Sequence, residues 1–149
     1  YDGVKRQYRY DPDGPDRLMP DFNVFHRYAA NFPWRSHAIW FMTQMLRWGQ
    51  HTGPMDFNKV AAAVYRSDIY REAARRIGLP CPASNDKPEG NHDGIWSIKT
   101  EADSALQLGP DVFFDGNTFT PDRAEDYLRS FAVRQATGFT HSHPTDAHC

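Results

Sequence analysis

The chain has little cysteine, no dense block of basic charge and no long apolar run, and each shortage closes off a class of protein. Two cysteines in 149 residues, Cys81 and Cys149, are too few for a disulfide framework. The 17 lysines and arginines are scattered among 19 acidic residues, giving a formal charge of −2, so the electrostatic footprint of a nucleic-acid binder is missing. The longest apolar candidate, residues 36–48, is interrupted by Thr43, Gln44 and Arg47 and falls short of the roughly 20 residues that a membrane-spanning helix needs. Catalytic signatures are missing too: there is no Gly-x-Ser-x-Gly elbow, Walker loop, His-Glu-x-x-His or Gly-x-Gly-x-x-Gly. No cofactor is implied, and the chain is not expected to be an enzyme. It opens on Tyr1 with neither an initiator Met nor a signal-peptide pattern, and reads as a mature or cut product.

What is present is enough for one compact domain, because a chain of this length buries roughly 68–70% of its unfolded surface. Residues 1–21, with Asp11 to Asp16 crowded by Pro and Gly, lack periodicity and read as an irregular opening segment. Phe22, Val24 and His26 permit a short strand. A mostly buried helix is predicted from Ser36, its expected N-cap, to Trp48, with Gly49 as the stop, Ala38, Phe41, Met45 and Trp48 as the buried stripe and Ile39, Met42 and Leu46 widening it.

Three more helices have clear punctuation. Asp56 caps a helix with Phe57, Val60, Ala61 and Val64 on one face; Ser67 caps a second with Ile69, Ala73 and Ile77 inward, stopped by Gly78. Thr120 and Pro121 start a third, whose buried face is Ala124, Tyr127, Leu128 and Phe131. Residues 79–118 form a long Pro/Gly/Asn/Asp-rich connection with turns at 91–94 and 115–116.

Three ordered blocks, "FPWRSHAIWFMTQMLRWGQ", "VYRSDIYREAARRIGLP" and "GPDVFFDGNTFTPDRAEDYLRSFAV", resemble the C-terminal part of the nitrate/bicarbonate-binding protein family of ABC transporters. Cytoplasmic nitrate and nitrite sensors are similar in the same region. The resemblance implies an α/β chain that is the C-terminal portion of a two-lobed periplasmic-binding-protein-like fold. The segment itself would be mostly helical with long loops, with residues 22–134 as the C-terminal segment of the solute-binding domain. It also implies a small oxyanion such as nitrate, nitrite or bicarbonate as ligand and an ABC permease and ATPase as partners. The location would be periplasmic or membrane-associated for a transporter component, and cytoplasmic for a sensor acting on a regulatory partner. Apolar surface left uncovered by the missing lobe would promote self-association.

Candidate site residues follow. Trp34, Arg35 and His37 bring an indole N–H, a guanidinium and an imidazole to a helix N-terminus, donors suited to an oxyanion. The competing account, and the preferred one, makes Trp34 a packing residue and Arg35 an ion-pair partner, with the main pocket outside this chain. His141, His143 and His148, with Asp146 and Cys149, offer metal donors in a tail, residues 135–149, that is otherwise expected to be flexible. An unassigned enzyme would draw on His26, His37 and His92 with Asp86, Glu89 and Asp93, or on Cys81 as nucleophile. The run Lys87 to Gly90 reads as a turn.

Overall fold

Helices and two short antiparallel hairpins alternate along the chain in the computed structural model, which describes residues 4–8, 12–25 and 27–132. Strands β1 (Val4–Tyr8) and β2 (Arg17–Asn23) pair with each other, Tyr8 opposite Arg17 and Val4 opposite Asn23, with a bulge between Val4 and Arg6. Helices α1 (Arg35–Arg47), α2 (Phe57–Val64) and α3 (Ser67–Arg76) follow. The second hairpin, β3 (Trp96–Lys99) with β4 (Ala105–Leu108), precedes a 3₁₀ turn, Pro121–Arg123, that runs into α4 (Ala124–Arg129). The mixed α/β class holds, with more helix than strand. The expected metal tail, including His141, His143 and His148, lies outside the described residues, as does His26.

Two apolar clusters flank the start of α1. Ala38, Ile39 and Met42 pack with Ala61, Phe119 and Ala124 in one; Ala29, Phe32, Trp34 and Leu108 make the other. Several expected boundaries stand. Asp56 accepts a hydrogen bond from the Lys59 amide at 3.0 Å and caps α2. Gly49 and Gly78 adopt φ of 69° and 70° just past α1 and α3, and Ala124, Tyr127 and Leu128 are the covered side of α4, with Phe131 half-buried just past its end.

Other expectations are corrected. The opening segment is not irregular throughout, since backbone pairing between β1 and β2 needs no side-chain periodicity, and the strand there ends at Asn23, short of Val24. The long connection contains β3 and β4 and is laced by backbone bonds: Ala83 donates to Lys99 at 3.0 Å, Glu89 and Phe119 exchange bonds of 2.9 Å, and Asp111 donates to His92 at 2.9 Å. Backbone bridges satisfy the polar groups that a buried loop would strand.

On α1 the expected stripe is half right: Ala38, Ile39 and Met42 are buried, and Phe41, Met45 and Trp48 are not. Ser36, Ala38, Ile39, Met42 and Thr43 are buried, while Phe41, Met45 and Trp48 are 53%, 39% and 49% exposed. The set Phe41, Met45 and Trp48 and the set Ile39, Met42 and Leu46 both recur at helical spacing, so periodicity offers two stripes, and Ile39 and Met42 are the ones that pack with Ala61, Phe119 and Ala124. Ser36 is not the N-cap but a fully buried helical residue, tolerated because its hydroxyl has partners. Ser67 likewise starts α3 without capping it; its hydroxyl donates to Asn85 Oδ1 at 2.7 Å. The inward face of α3 is Ser67, Tyr70, Arg71 and Ala74, whereas Ile69 and Ile77 are 56% and 71% exposed. In α2, Ala61 is buried and Phe57 partly so, but Val60 and Val64 face outward.

The reassigned α1 face is checked by two substitutions. Ile39→Ala should destabilise the fold by about 2–5 kcal/mol in urea denaturation, and Phe41→Ala by no more than about 0.5 kcal/mol. The reverse order would restore the stripe read from the sequence.

Candidate functional site

The first turn of α1 meets the 85–92 segment in a knot of polar groups. Arg71 of α3 fixes that segment: its guanidinium donates to the carbonyls of Pro82, Ala83 and Ser84 at 2.9–3.2 Å and to Asn85 Oδ1 at 2.6 Å. It also lies 3.3 Å from the Glu101 carboxylate and over the Phe32 ring. The held loop then presents the Asn85 carbonyl to the Arg35 amide at 2.9 Å. In this way a helix N-terminus finds its acceptors in a segment fifty residues away.

Glu89 is the centre of the knot. It is 6% exposed, and its Oε1 accepts from the Ser36 hydroxyl at 3.1 Å and lies 3.1 Å from His37 Nε2, while Oε2 pairs with the Lys87 ammonium. Ser36 Oγ in turn accepts from the Lys87 amide at 3.3 Å. Lys87 also reaches Asp111 Oδ2 at 3.8 Å and lies 5.9 Å from the centres of both the Trp34 and Trp96 rings. His92 donates its amide to Asp111 at 2.9 Å, places Nδ1 3.0 Å from the same carboxylate and stacks on Trp96 at 3.6 Å, nearly parallel. Gly90 is required between these anchors: at φ +84° a Cβ would sit 2.6 Å from the Asn117 carbonyl oxygen and 2.7 Å from Phe113.

The sequence candidates fall into this arrangement unevenly. Trp34 is 1% exposed, edge-on to Phe32 at 4.7 Å. His37 is half-exposed and paired with Glu89. Arg35 is half-buried beside Asp86, and its Nε and one Asp86 oxygen are buried without a protein partner. His92 meets Asp111 rather than Asp93. Lys87 and Asp111 were missed. Lys87 sits in a run that reads as a turn, and Asp111 is nineteen residues from the histidine it holds, so no local spacing links them. Cys81 is 4% exposed, and burial, then the nearby Glu101, pushes its thiol up, which makes it a poor nucleophile. Among the described residues no group of His, Cys, Asp and Glu is placed to hold a metal ion.

Chemically, the knot pairs its donors and acceptors internally, except at Arg35 Nε and one Asp86 oxygen. A shallow recess of about 220 Å³ opens beside it, walled by Trp40, Phe41 and Phe113 with His37 and Glu89 at its edge. Asp86 differs from its neighbours: burial first, and Asp122 as well, push its carboxyl up, opposed by Arg35 and by the Ser36 amide at the helix N-terminus.

No protein-family profile and no solved structure matches the chain. Curated proteins do. It is 34% identical over 99 residues, 66% of its length, to the nitrate/nitrite binding protein NrtA of Synechococcus elongatus, of which it covers 18%. It is 30% identical over 148 residues, 89% of its length, to the bicarbonate-binding protein CmpA of the same species, covering 27% of that protein. The nitrate import ATP-binding protein NrtC of Synechocystis sp. is 28% identical over 133 residues, with 17% of its length covered. The chain therefore spans about a quarter or less of the curated relatives it matches.

Two outcomes test the knot. Glu89→Ala removes the partner of a buried ammonium and should destabilise the fold by about 3–5 kcal/mol in urea denaturation, with Glu89→Gln milder. Asp86 gives a pH test. A carboxyl whose folded pKa is raised keeps its proton longer in the folded chain, so stability falls as pH rises from the ordinary carboxylate range through the raised value. Asp86→Asn should remove that loss: its melting temperature relative to wild type should rise between pH 4 and pH 6, and a fall would show that Asp86 is held by attraction rather than tolerated.

Proposed function

The chain is a relative of the nitrate/bicarbonate solute-binding proteins, and from that premise we propose that residues 22–134 are the C-terminal segment of a solute-binding domain serving an ABC transporter for a small oxyanion. The observation that carries this is the similarity, over 66–89% of the chain, to proteins named for binding nitrate, nitrite and bicarbonate. The reaction is non-covalent. Two lobes close on the ligand, and the permease and its ATPase receive the closed form. The place of work is periplasmic or membrane-associated; no helix among the described residues is long and apolar enough to cross a membrane.

In this reading Trp34, Arg35 and His37 hold the segment together, and the oxyanion is bound mainly by donors outside these residues. Support comes from the commitments of the α1 entrance: the Arg35 amide serves Asn85, the Ser36 hydroxyl and His37 serve Glu89, and the Ser36 amide faces Asp86. Two carboxylates against one helix N-terminus already occupy the place where an anion would be attracted. A four-atom anion gains at most about 1.5 kcal/mol per non-hydrogen atom, so it needs nearly every donor around it uncommitted.

Transplantation tests the proposal. Residues 22–132, put in place of the matched segment of the Synechococcus nitrate/nitrite binding protein, should give a folded chimaera that binds nitrate or nitrite in isothermal titration. A folded chimaera that binds neither, nor bicarbonate, would overturn it. The 149-residue chain alone should show no tight binding of these anions. Micromolar binding that is lost in Arg35→Ala or His37→Ala would instead make the α1 entrance the site.

A further inference from the structure

His92 and Trp96 are clamped together at the two ends of a short link, residues 93–95. The amide and Nδ1 of His92 both meet the Asp111 carboxylate, its carbonyl accepts from the Asp111 amide at 2.9 Å, and its ring stacks on Trp96, the first residue of β3, at 3.6 Å. The link has none of this support. Among the described residues nothing accepts a hydrogen bond from the Gly94 amide, and a Cβ placed on Gly94 would meet no atom within 4 Å.

An aspartate followed by glycine is open to spontaneous backbone chemistry, because glycine has no side chain to keep its nitrogen from the preceding carboxyl. The sequence has four such pairs, beginning at Asp2, Asp13, Asp93 and Asp115. Asp2 lies outside the described residues and Asp13 has an interaction of its own, so the last two give the comparison. At Asp115 both reacting groups are engaged: the Gly116 amide donates to the Phe113 carbonyl at 3.0 Å, and Asp115 Oδ1 accepts from the Asn117 amide at 3.1 Å. Neither group is engaged at Asp93.

We propose that Asp93 is a modification site, where the chain converts spontaneously to an isoaspartyl linkage. The Gly94 nitrogen attacks Asp93 Cγ. The N–C bond forms, and the carboxyl in its acid form loses its hydroxyl, which leaves as water with the amide hydrogen. The resulting succinimide ring then takes water back at one of its two carbonyl carbons. Opening at Cγ's own C–N bond restores aspartate; opening at the main-chain carbonyl leaves the chain running through the side chain, with no net change of mass. The backbone between His92 and Trp96 is then one methylene longer, and both the ring stack and the hold of His92 on Asp111 must readjust. The proposal does not rest on the oxyanion reading.

Ageing of the 149-residue chain tests it: incubation at neutral pH for several weeks, then peptide mapping, with isoaspartate marked by methyl transfer from a purified isoaspartyl O-methyltransferase. Isoaspartate should accumulate at Asp93 several-fold faster than at Asp115. The same incubation in urea dissolves the hydrogen bonds at Asp115, so there the two rates should converge. Gly94→Ala adds a methyl group in open space at a backbone position outside the left-handed region. It should leave the melting temperature of the fresh chain unchanged and slow the reaction at Asp93 several-fold. Absence of isoaspartate at Asp93, equal rates at the two sites in the folded chain, or a difference that persists in urea would each overturn the proposal, as would a Gly94→Ala chain that ages at Asp93 as fast as wild type.

Discussion

A buried carboxylate has to be met by donors, and Glu89 organises the molecule around that demand. Its side chain binds Ser36 and His37 of α1 and Lys87 of its own loop, and its backbone exchanges two hydrogen bonds with Phe119. Phe119 is wholly buried in the cluster with Ile39 and Met42. Removing an ion from water is expensive and only good geometry offsets it, so this position tolerates little movement in any of the elements that supply partners. Gly90 beside it, where a side chain would strike the Asn117 carbonyl, sets the same limit on the backbone.

The second organising group is a cation. Arg71 collects three carbonyls and the Asn85 amide oxygen, and so fixes a segment rich in Pro, Ser and Asn that has no apolar face of its own. Helix α3 thus docks through its polar side, leaving Ile69 and Ile77 outside. Arg is suited to this because its planar fork points several donors at once. The two polar centres are joined through Asn85, whose side chain serves α3 and whose carbonyl serves α1.

Most donors at the α1 entrance face internal acceptors: the Arg35 amide meets the Asn85 carbonyl, and the Ser36 hydroxyl and His37 meet Glu89.

Sequence by itself determined what depends on near neighbours. The Asp56 cap, the stops at Gly49 and Gly78, the Pro121 start and the covered face of α4 are all written within a few residues, as was the family resemblance, which rests on order and spacing. Only the tertiary structure decided which of two apolar stripes on α1 faces inward, because both satisfy the helical period and the choice belongs to the partner surface. Likewise β1, β2, β3 and β4 are held by backbone pairing, which leaves little mark on side-chain pattern. The pairing of Lys87 with Glu89 and of His92 with Asp111, and the burial of Ser36 and Ser67, arise from segments that meet only after folding. A polar residue becomes a core residue when a distant donor or acceptor reaches it, and that distance is invisible along the chain.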